Sequence, residues 1–259
     1  MAKITALVTG ASSGIGLELA RLFAADGHDL VLTARRESRL RQLAAELSET
    51  HGVEVAVVAA DLAAPDAPRA LHDTVEQRGL QVDALVNNAG FGSSGSFADA
   101  DLDRQLEMIQ VNVGALVELT GLCLPAMRRR GRGWIMNVAS TAAFQPGPLM
   151  SVYFATKAFV LHFSEAIAEE VREEGVVVSA FCPGPTLTEF RAVSRGRDDL
   201  PVPAGVPDAA TVAAAGYAAL WRARQVFIPG VKNRLMALSV RWAPRAFVAR
   251  TVHRMQQRR

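Results

Sequence analysis

The chain has 259 residues, half of them apolar, which suits a single α/β domain with a large core. Its two cysteines, Cys123 and Cys182, stand far apart with no CxxC and no Cys/His cluster, and the five histidines show no metal pairing and no partner carboxylate at a meaningful spacing. The composition therefore excludes a disulfide framework and a zinc centre, leaves buried packing as the expected role of both thiols, and predicts no metal. A formal net charge of +2 conceals an asymmetry: none of the 26 acidic residues lies beyond Asp208, whereas ten of the 28 basic ones do.

In chain order, "MAKITALVTG" runs straight into a strand pattern and leaves no room for the basic, apolar and cleavage regions of a secretory signal. No apolar run approaches a membrane span, so a soluble, cytoplasmic protein is the expectation. Seven apolar runs predict strands: "ITALVT", "DLVLT", "VEVAVVA", "VDALVN", "GWIMNVAS", "VVVSAFC" and "QVFIP". Helical patterns fall between them, near 15–26, 37–50, 66–78, 101–130, 151–174 and 208–223. Strands apolar on both faces, alternating with helices, predict a doubly wound parallel sheet of about seven strands with helices on both faces. Such folds gather ligands at the carboxyl ends of the strands. With no repeat and no linker, residues 1–230 read as one domain. The stretch "FRAVSRGRDDLPVPAGVP", 190–207, is rich in Pro, Gly and charge and reads as a lid-like loop.

Two stretches carry chemistry. "LVTGASSGIGLELARLF" puts Gly10, Gly14 and Gly16 at the turn from the first strand into the first helix, where missing Cβ atoms and free helix N–H groups suit a pyrophosphate. "SVYFATKAFV" places Lys157 one helical turn after Tyr153, in a chain with twenty-five arginines but three lysines, and only two tyrosines. An ammonium on the same helix face as a phenol lowers the phenol's pKa, and a phenol so tuned can donate or accept the proton of a carbonyl–alcohol interconversion.

Taken together, "TGASSGIG" at 9–16, "NNAG" at 87–90, Asn112, Ser140, "YFATK" at 153–157 and "PGPTLT" at 183–188 resemble the short-chain dehydrogenase/reductase family, in its shorter single-domain branch, from residue 4 to about 230. The resemblance implies a Rossmann-type fold and a nicotinamide cofactor. It implies that Gly10, Ser12, Ser13, Gly14, Ile15 and Gly16 cradle the pyrophosphate, and that Asp61 and Leu62 bracket the adenine. Asn88, Ala89 and Gly90 would pack along its ribose, and Pro183, Gly184, Thr186 and Thr188 would line the nicotinamide side. It makes Tyr153 the acid/base, Lys157 its modulator and the anchor of the nicotinamide ribose, Ser140 the group that orients the substrate oxygen, and Asn112 the holder of a water that relays protons to the lysine. Taken alone, Asp61 is equally a helix cap, Ser140 a turn residue, Asn112 a tolerated helix polar and Tyr153 a core aromatic.

Folds of this kind that take NAD carry an acid after the second strand. Here "LVLTARRESRL" offers Arg35 and Arg36 instead, a pair suited to a 2′-phosphate, and NADP(H) is expected over NAD(H), with Arg35 ahead of Arg36. Relatives that prefer NADP also tend to carry a base inside the glycine turn, where this chain has Ser13.

Phe91, Phe144, Met150, Phe190 and Leu149 are expected to line a substrate pocket, either for a lipophilic carbonyl or alcohol or as packing under the loop. The tail 231–259 has Leu235, Leu238, Trp242, Phe247, Val248, Val252 and Met255 at roughly helical spacing, with Arg250, Arg254 and Arg258 on another face, and Pro244 between. Such a basic amphipathic extension either lies on an anionic membrane surface or packs on protein. "RRRGR" at 128–132 suits a helix C-terminus, and nothing reads as a nucleic-acid-binding element. The expectation is an NADP(H)-dependent oxidoreductase interconverting a ketone or aldehyde and an alcohol, assembled by resemblance as a homodimer or homotetramer through the helices at 101–130 and 151–174. Its rivals are an NADP(H) sensor with the same fold and a peripheral membrane enzyme acting on lipid-derived ketones.

Overall fold

A computed structural model describes residues 3–195 and 205–257; the central part of the expected lid, 196–204, and Arg258 lie outside the described residues. Seven parallel strands form one sheet in the order β3-β2-β1-β4-β5-β6-β7. They are β1 (Thr5–Thr9), β2 (Asp29–Thr33), β3 (Val55–Val57), β4 (Ala84–Asn87), β5 (Gly133–Val138), β6 (Val176–Phe181) and β7 (Val226–Phe227). All seven coincide with the apolar runs of the sequence.

Side chains alternate across a strand, so β1 feeds two cores at once. Ala6 and Val8 point into a cluster with Leu19, Ala20 and Phe23 of α1 (Gly14–Ala25), Leu40 and Leu47 of α2 (Glu37–His51), and Val212 and Leu220 of α8 (Ala209–Trp221). Leu7 points the other way, onto Leu71 and Val75 of α3 (Ala67–Gln77) and Leu119, Cys123 and Met127 of α5 (Ala115–Arg130). This two-sided burial is why the strands lack the polar alternation of a half-exposed sheet.

The long pattern 101–130 is broken into α4 (Leu102–Ile109), a π-helical turn over Gln110–Gly114, and α5. By length and composition Leu102–Arg130 is apolar enough to cross a membrane, contrary to the sequence reading. Its Met108, Leu119, Cys123 and Met127 are instead buried in the domain core. Helix α6 (Ser151–Glu170) follows β5, a short α7 (Phe190–Arg195) follows β6, and α9 (Val231–Ser239) and α10 (Arg245–Gln257) complete the described chain. Both cysteines are free and buried, as expected. Two histidines do have carboxylate neighbours, which the sequence reading had denied: His72 lies 3.6 Å from Asp73 and 3.8 Å from Glu76, and His162 lies 3.4 Å from Glu165.

Candidate active site

The sheet order reverses between β1 and β4, and the crevice beyond their carboxyl ends is where a doubly wound sheet admits a ligand. Gly10 and Gly14 adopt φ of +66° and +58°, backbone that side-chain-bearing residues avoid. A Cβ on Gly10 would also lie 2.8 Å from Asn88 Nδ2, and one on Gly14 3.0 Å from Thr188 Cγ2. Ser13 begins α1 without a side-chain cap, so Gly14, Ile15 and Gly16 bring uncapped N–H groups to the crevice. This cradle, with the positive end of the helix dipole beneath it, fits a phosphate anion.

Asn88 braces the cradle through hydrogen bonds from its Nδ2 to the carbonyls of Thr9 (2.9 Å) and Gly10 (3.3 Å). Thr9, which the sequence reading passed over, is the hinge of this contact. Its buried Oγ1 accepts from the N–H groups of both Asn88 and Ala89 at 2.9 Å and donates to the Val86 carbonyl.

The structure brings Arg36, not Arg35, to the glycine turn. Arg36 donates to Ser12 Oγ (3.1 Å) and Ser13 Oγ (2.8 Å), whereas Arg35 lies 3.8 Å from Glu107 of α4. From the segment after β6, Glu189 comes within 2.7 Å of Arg36 and 2.6 Å of Arg39. Arg39 above all, and then Arg36, hold its carboxyl below the usual range. Beyond β3, Asp61 is exposed and accepts from the Ala63 N–H, and it caps no helix. Leu62 is buried in the core between Leu7, Val31 and α3.

Ser140, Tyr153 and Lys157 converge. Ser140 lies two residues past β5, where its Oγ accepts from the Ala142 N–H (3.1 Å) and meets the Pro183 carbonyl at 3.4 Å. Its hydroxyl lies near enough to that of Tyr153 to act on the phenol's pKa. Burial pushes Tyr153 up to about 12, only partly offset by Ser140, and pushes Lys157 down to about 8. The ammonium donates to the Val138 carbonyl at 2.8 Å and lies 5.9 Å from the centre of the Tyr153 ring. In the protein alone, burial of the phenol dominates its pKa and Ser140 opposes it.

Asn112 is fully engaged. Its Oδ1 accepts from the Phe91 N–H and its Nδ2 donates to the Phe91 carbonyl, both at 3.0 Å, and to Thr156 Oγ1 at 3.1 Å. The side chain thus pins the Gly90–Phe91 turn. Gly90 is needed there, since a Cβ would stand 2.9 Å from Asn112 Oδ1 and 3.4 Å from Lys157 Nζ.

Of the expected pocket residues, Phe91, Met150 and Phe190 join one apolar cluster with Tyr153, and the Phe190 ring lies 5.2 Å from that of Tyr153. Phe144 belongs to a different cluster, with Leu116, Val160 and Cys182. Leu149 takes a φ of +67° and its carbonyl accepts from the Gly95 N–H. A recess of about 240 Å³ opens beside Met150, lined also by Ser94, Phe97 and Gln105. Two residues carried no sequence signal: Phe154, which joins the cluster together with Val248 and Val252 of the tail, and Arg104, which stacks its guanidinium over Phe91 at 3.9 Å. Pro183 and Gly184 follow β6. Thr186 Oγ1 donates to the Gly184 carbonyl, and Thr188 Oγ1 accepts from the Phe190 N–H, tying this turn to the pocket wall.

Comparison with known proteins points the same way. A solved short-chain dehydrogenase from Sphingobium yanoikuyae in complex with NADPH is 37% identical, with a TM-score of 0.83 over 91% of this chain and 92% of that one. A bulky-bulky ketone specific alcohol dehydrogenase from Comamonas testosteroni is 31% identical, with a TM-score of 0.80 over 93% of both. In sequence, the very-long-chain 3-oxoacyl-CoA reductase of Anas platyrhynchos is 35% identical over 76% of this chain but only 64% of its own length. Sulfoacetaldehyde reductase 2 of Chromohalobacter salexigens is 40% identical over 74% of this chain and 76% of its own. Residues 4–198 match the family model for short chain dehydrogenases, and with the parallel sheet, the glycine cradle and the serine, tyrosine and lysine in one cleft, the chain belongs to that family of oxidoreductases.

Proposed function

We propose that this protein is an NADP(H)-dependent reductase that interconverts an apolar ketone or aldehyde and its alcohol. The observation that carries the reading is the convergence of Ser140, Tyr153 and Lys157 at the wall of an apolar cluster made by Phe91, Met150, Phe154 and Phe190. Reduced nicotinamide supplies a hydride to a carbonyl carbon. The residues of the chain do the rest. The cradle of Gly10, Gly14 and Gly16 would hold the pyrophosphate, Arg36 with Arg39 nearby would take the 2′-phosphate, and Asn88, Ala89 and Gly90 would form the floor. Thr188 and the Pro183–Gly184 turn face the nicotinamide side.

Ser140 and Tyr153 hold the substrate oxygen between two hydroxyls, and Tyr153, protonated near neutral pH, delivers the proton that the new alkoxide needs. Lys157 anchors a ribose and supplies positive charge near the phenol, which eases proton loss in the oxidative direction. Asn112 acts at one remove, by holding the Gly90–Phe91 turn. Bulky-ketone and NADPH-bound relatives support both the cofactor and the substrate class. Dimers or tetramers through α4–α5 and α6 fit the exposed Leu102, Leu106, Ile109 and Phe159.

Steady-state kinetics on a bulky aryl or alkyl ketone test the proposal. NADPH should outperform NADH, and Tyr153→Phe should lower kcat by about 10²–10⁴-fold while NADPH binding stays close to wild type. Turnover that survives in Tyr153→Phe would overturn it. Equal use of NADH would overturn the cofactor assignment.

A further inference from the structure

The outer surface formed by α9 and α10 has no role in the site described above. Helix α9 packs inward through Ala237 and through Asn233, which lies against Gly184. Its opposite face carries Val231, Leu235 and Leu238, followed by Trp242. Within the helix the first three are spaced i, i+4 and i+7, which stacks them in one stripe, and Trp242 stands in the turn that follows α9. They are 73%, 63%, 51% and 90% exposed, a large apolar surface to leave in water. Phe247 at the start of α10 adds to it at 63%.

Around the stripe stand Lys232, Arg234, Arg241, Arg245, Arg250 and Arg254, all exposed. Among the described residues none of the six makes an ion pair, and the sequence holds no acid beyond Asp208 to neutralise them. The inner face of α10 reaches the pocket: Val248 and Val252 are buried in the cluster around Tyr153, and Gln256 donates to Met150 Sδ.

We infer that α9 and the start of α10 form a membrane-docking surface that seats on an anionic lipid bilayer, with Trp242 and the Val231–Leu235–Leu238 stripe in the headgroup boundary and the six cations on lipid phosphates. The charge selects this occupant. A second copy docked on the same face would set cation against cation, whereas an acidic bilayer offers both apolar depth and negative charge. Tryptophan favours that boundary because its ring is apolar and its N–H polar. Since α10 and the turn before it wall the pocket through Val240, Ala243, Val248 and Val252, docking would set the pocket beside the acyl chains and make lipid-dissolved carbonyls the substrates within reach. This last step rests on the reductase reading; the docking does not.

Flotation of the full chain with vesicles of phosphatidylglycerol and phosphatidylcholine in equal parts tests it. At about 0.15 M salt the protein should float with these vesicles and not with pure phosphatidylcholine. Binding should weaken at about 1 M, where screening shortens the Debye length from ~8 to ~3 Å. The double variant Leu235→Glu/Trp242→Ala should cut vesicle binding by about tenfold or more and leave NADPH-dependent reduction of a water-soluble ketone unchanged, which also shows that it folds. Failure to float, equal flotation with neutral vesicles, or equal flotation of the double variant would overturn the docking surface. Loss of ketone reduction in the wild type would instead sink the reductase reading alone.

Discussion

Tyr153 and Tyr217 are the only tyrosines of the chain, and both sit where the phenol keeps its proton. Burial raises Tyr153 to about 12; burial, and then the hydrogen bond to Asp26, raise Tyr217 as well. Ultraviolet titration of the cofactor-free protein should therefore show almost no tyrosinate near pH 10, where free tyrosine is half ionised. Adding NADP⁺ should bring one tyrosinate to lower pH, and Tyr153→Phe should remove that signal. A normal phenol titration in the free protein would contradict the burial argument.

Lys157 gives a second test at this scale. Its pKa of about 8, below the ordinary 10.5, means that the unfolded chain binds the extra proton between those values. The lysine's contribution is complete above about 10.5 and is lost as pH falls through about 8. The penalty of burying the charge is at most roughly 3 kcal/mol, and the hydrogen bond to Val138 offsets about 1–3 kcal/mol of it. Lys157→Met should accordingly melt at or slightly above the wild-type temperature at pH 7 and fall below it as pH rises towards 10. Its NADPH-dependent turnover should be lost throughout. Calorimetry at the two pH values reads the change of sign.

At the scale of elements, the segment after β6 and the start of α2 are joined by Glu189, which faces Arg36 and Arg39. A 2′-phosphate bound at Arg36 must compete with that carboxylate. Because the pairs are roughly half exposed, each is worth about 0.5–1 kcal/mol. Glu189→Gln should thus tighten NADPH binding by about two- to fivefold at low salt and leave NADH binding unchanged, as titration of cofactor fluorescence would show.

This contact also marks where sequence legibility stops. Strands were legible because burial on both faces demands apolar runs, and helices because their apolar faces pack into the four core clusters. Tyr153 and Lys157 were legible because a single helical turn relates them. The approach of Arg36 rather than Arg35 to the glycine turn was not, since it accompanies the non-helical backbone of Arg36 (φ −86°, ψ 82°) at the head of α2. Nor was the π-helical turn at 110–114 legible, because it keeps the apolar periodicity of its neighbours while aiming Asn112 at the Phe91 backbone. Phe144 was assigned to the pocket by proximity in sequence, yet the short 3₁₀ turn Thr141–Phe144 delivers it to the far cluster.

At the scale of the whole molecule, the crevice is shared by both halves of the sheet. The glycine cradle belongs to β1 and α1, the proposed catalytic trio of Ser140, Tyr153 and Lys157 to the end of β5 and to α6, and the proposed nicotinamide side to the turn after β6. A cofactor spanning them ties halves that are otherwise joined by sheet and core. Saturation at about 100 times Kd adds ~2.7 kcal/mol, so NADPH should raise Tm by about 5–10 °C. NADH at the same concentration should raise it far less, and identical shifts would remove the basis for cofactor discrimination.

Val248 and Val252 are separated from Tyr153 by much of the chain, though they touch the same cluster. The apolar cluster around Tyr153 therefore lacks part of one wall until α10 has been made and has packed against it. A bulky group attached beside α10 would press on that wall although it lies far from Tyr153 in sequence.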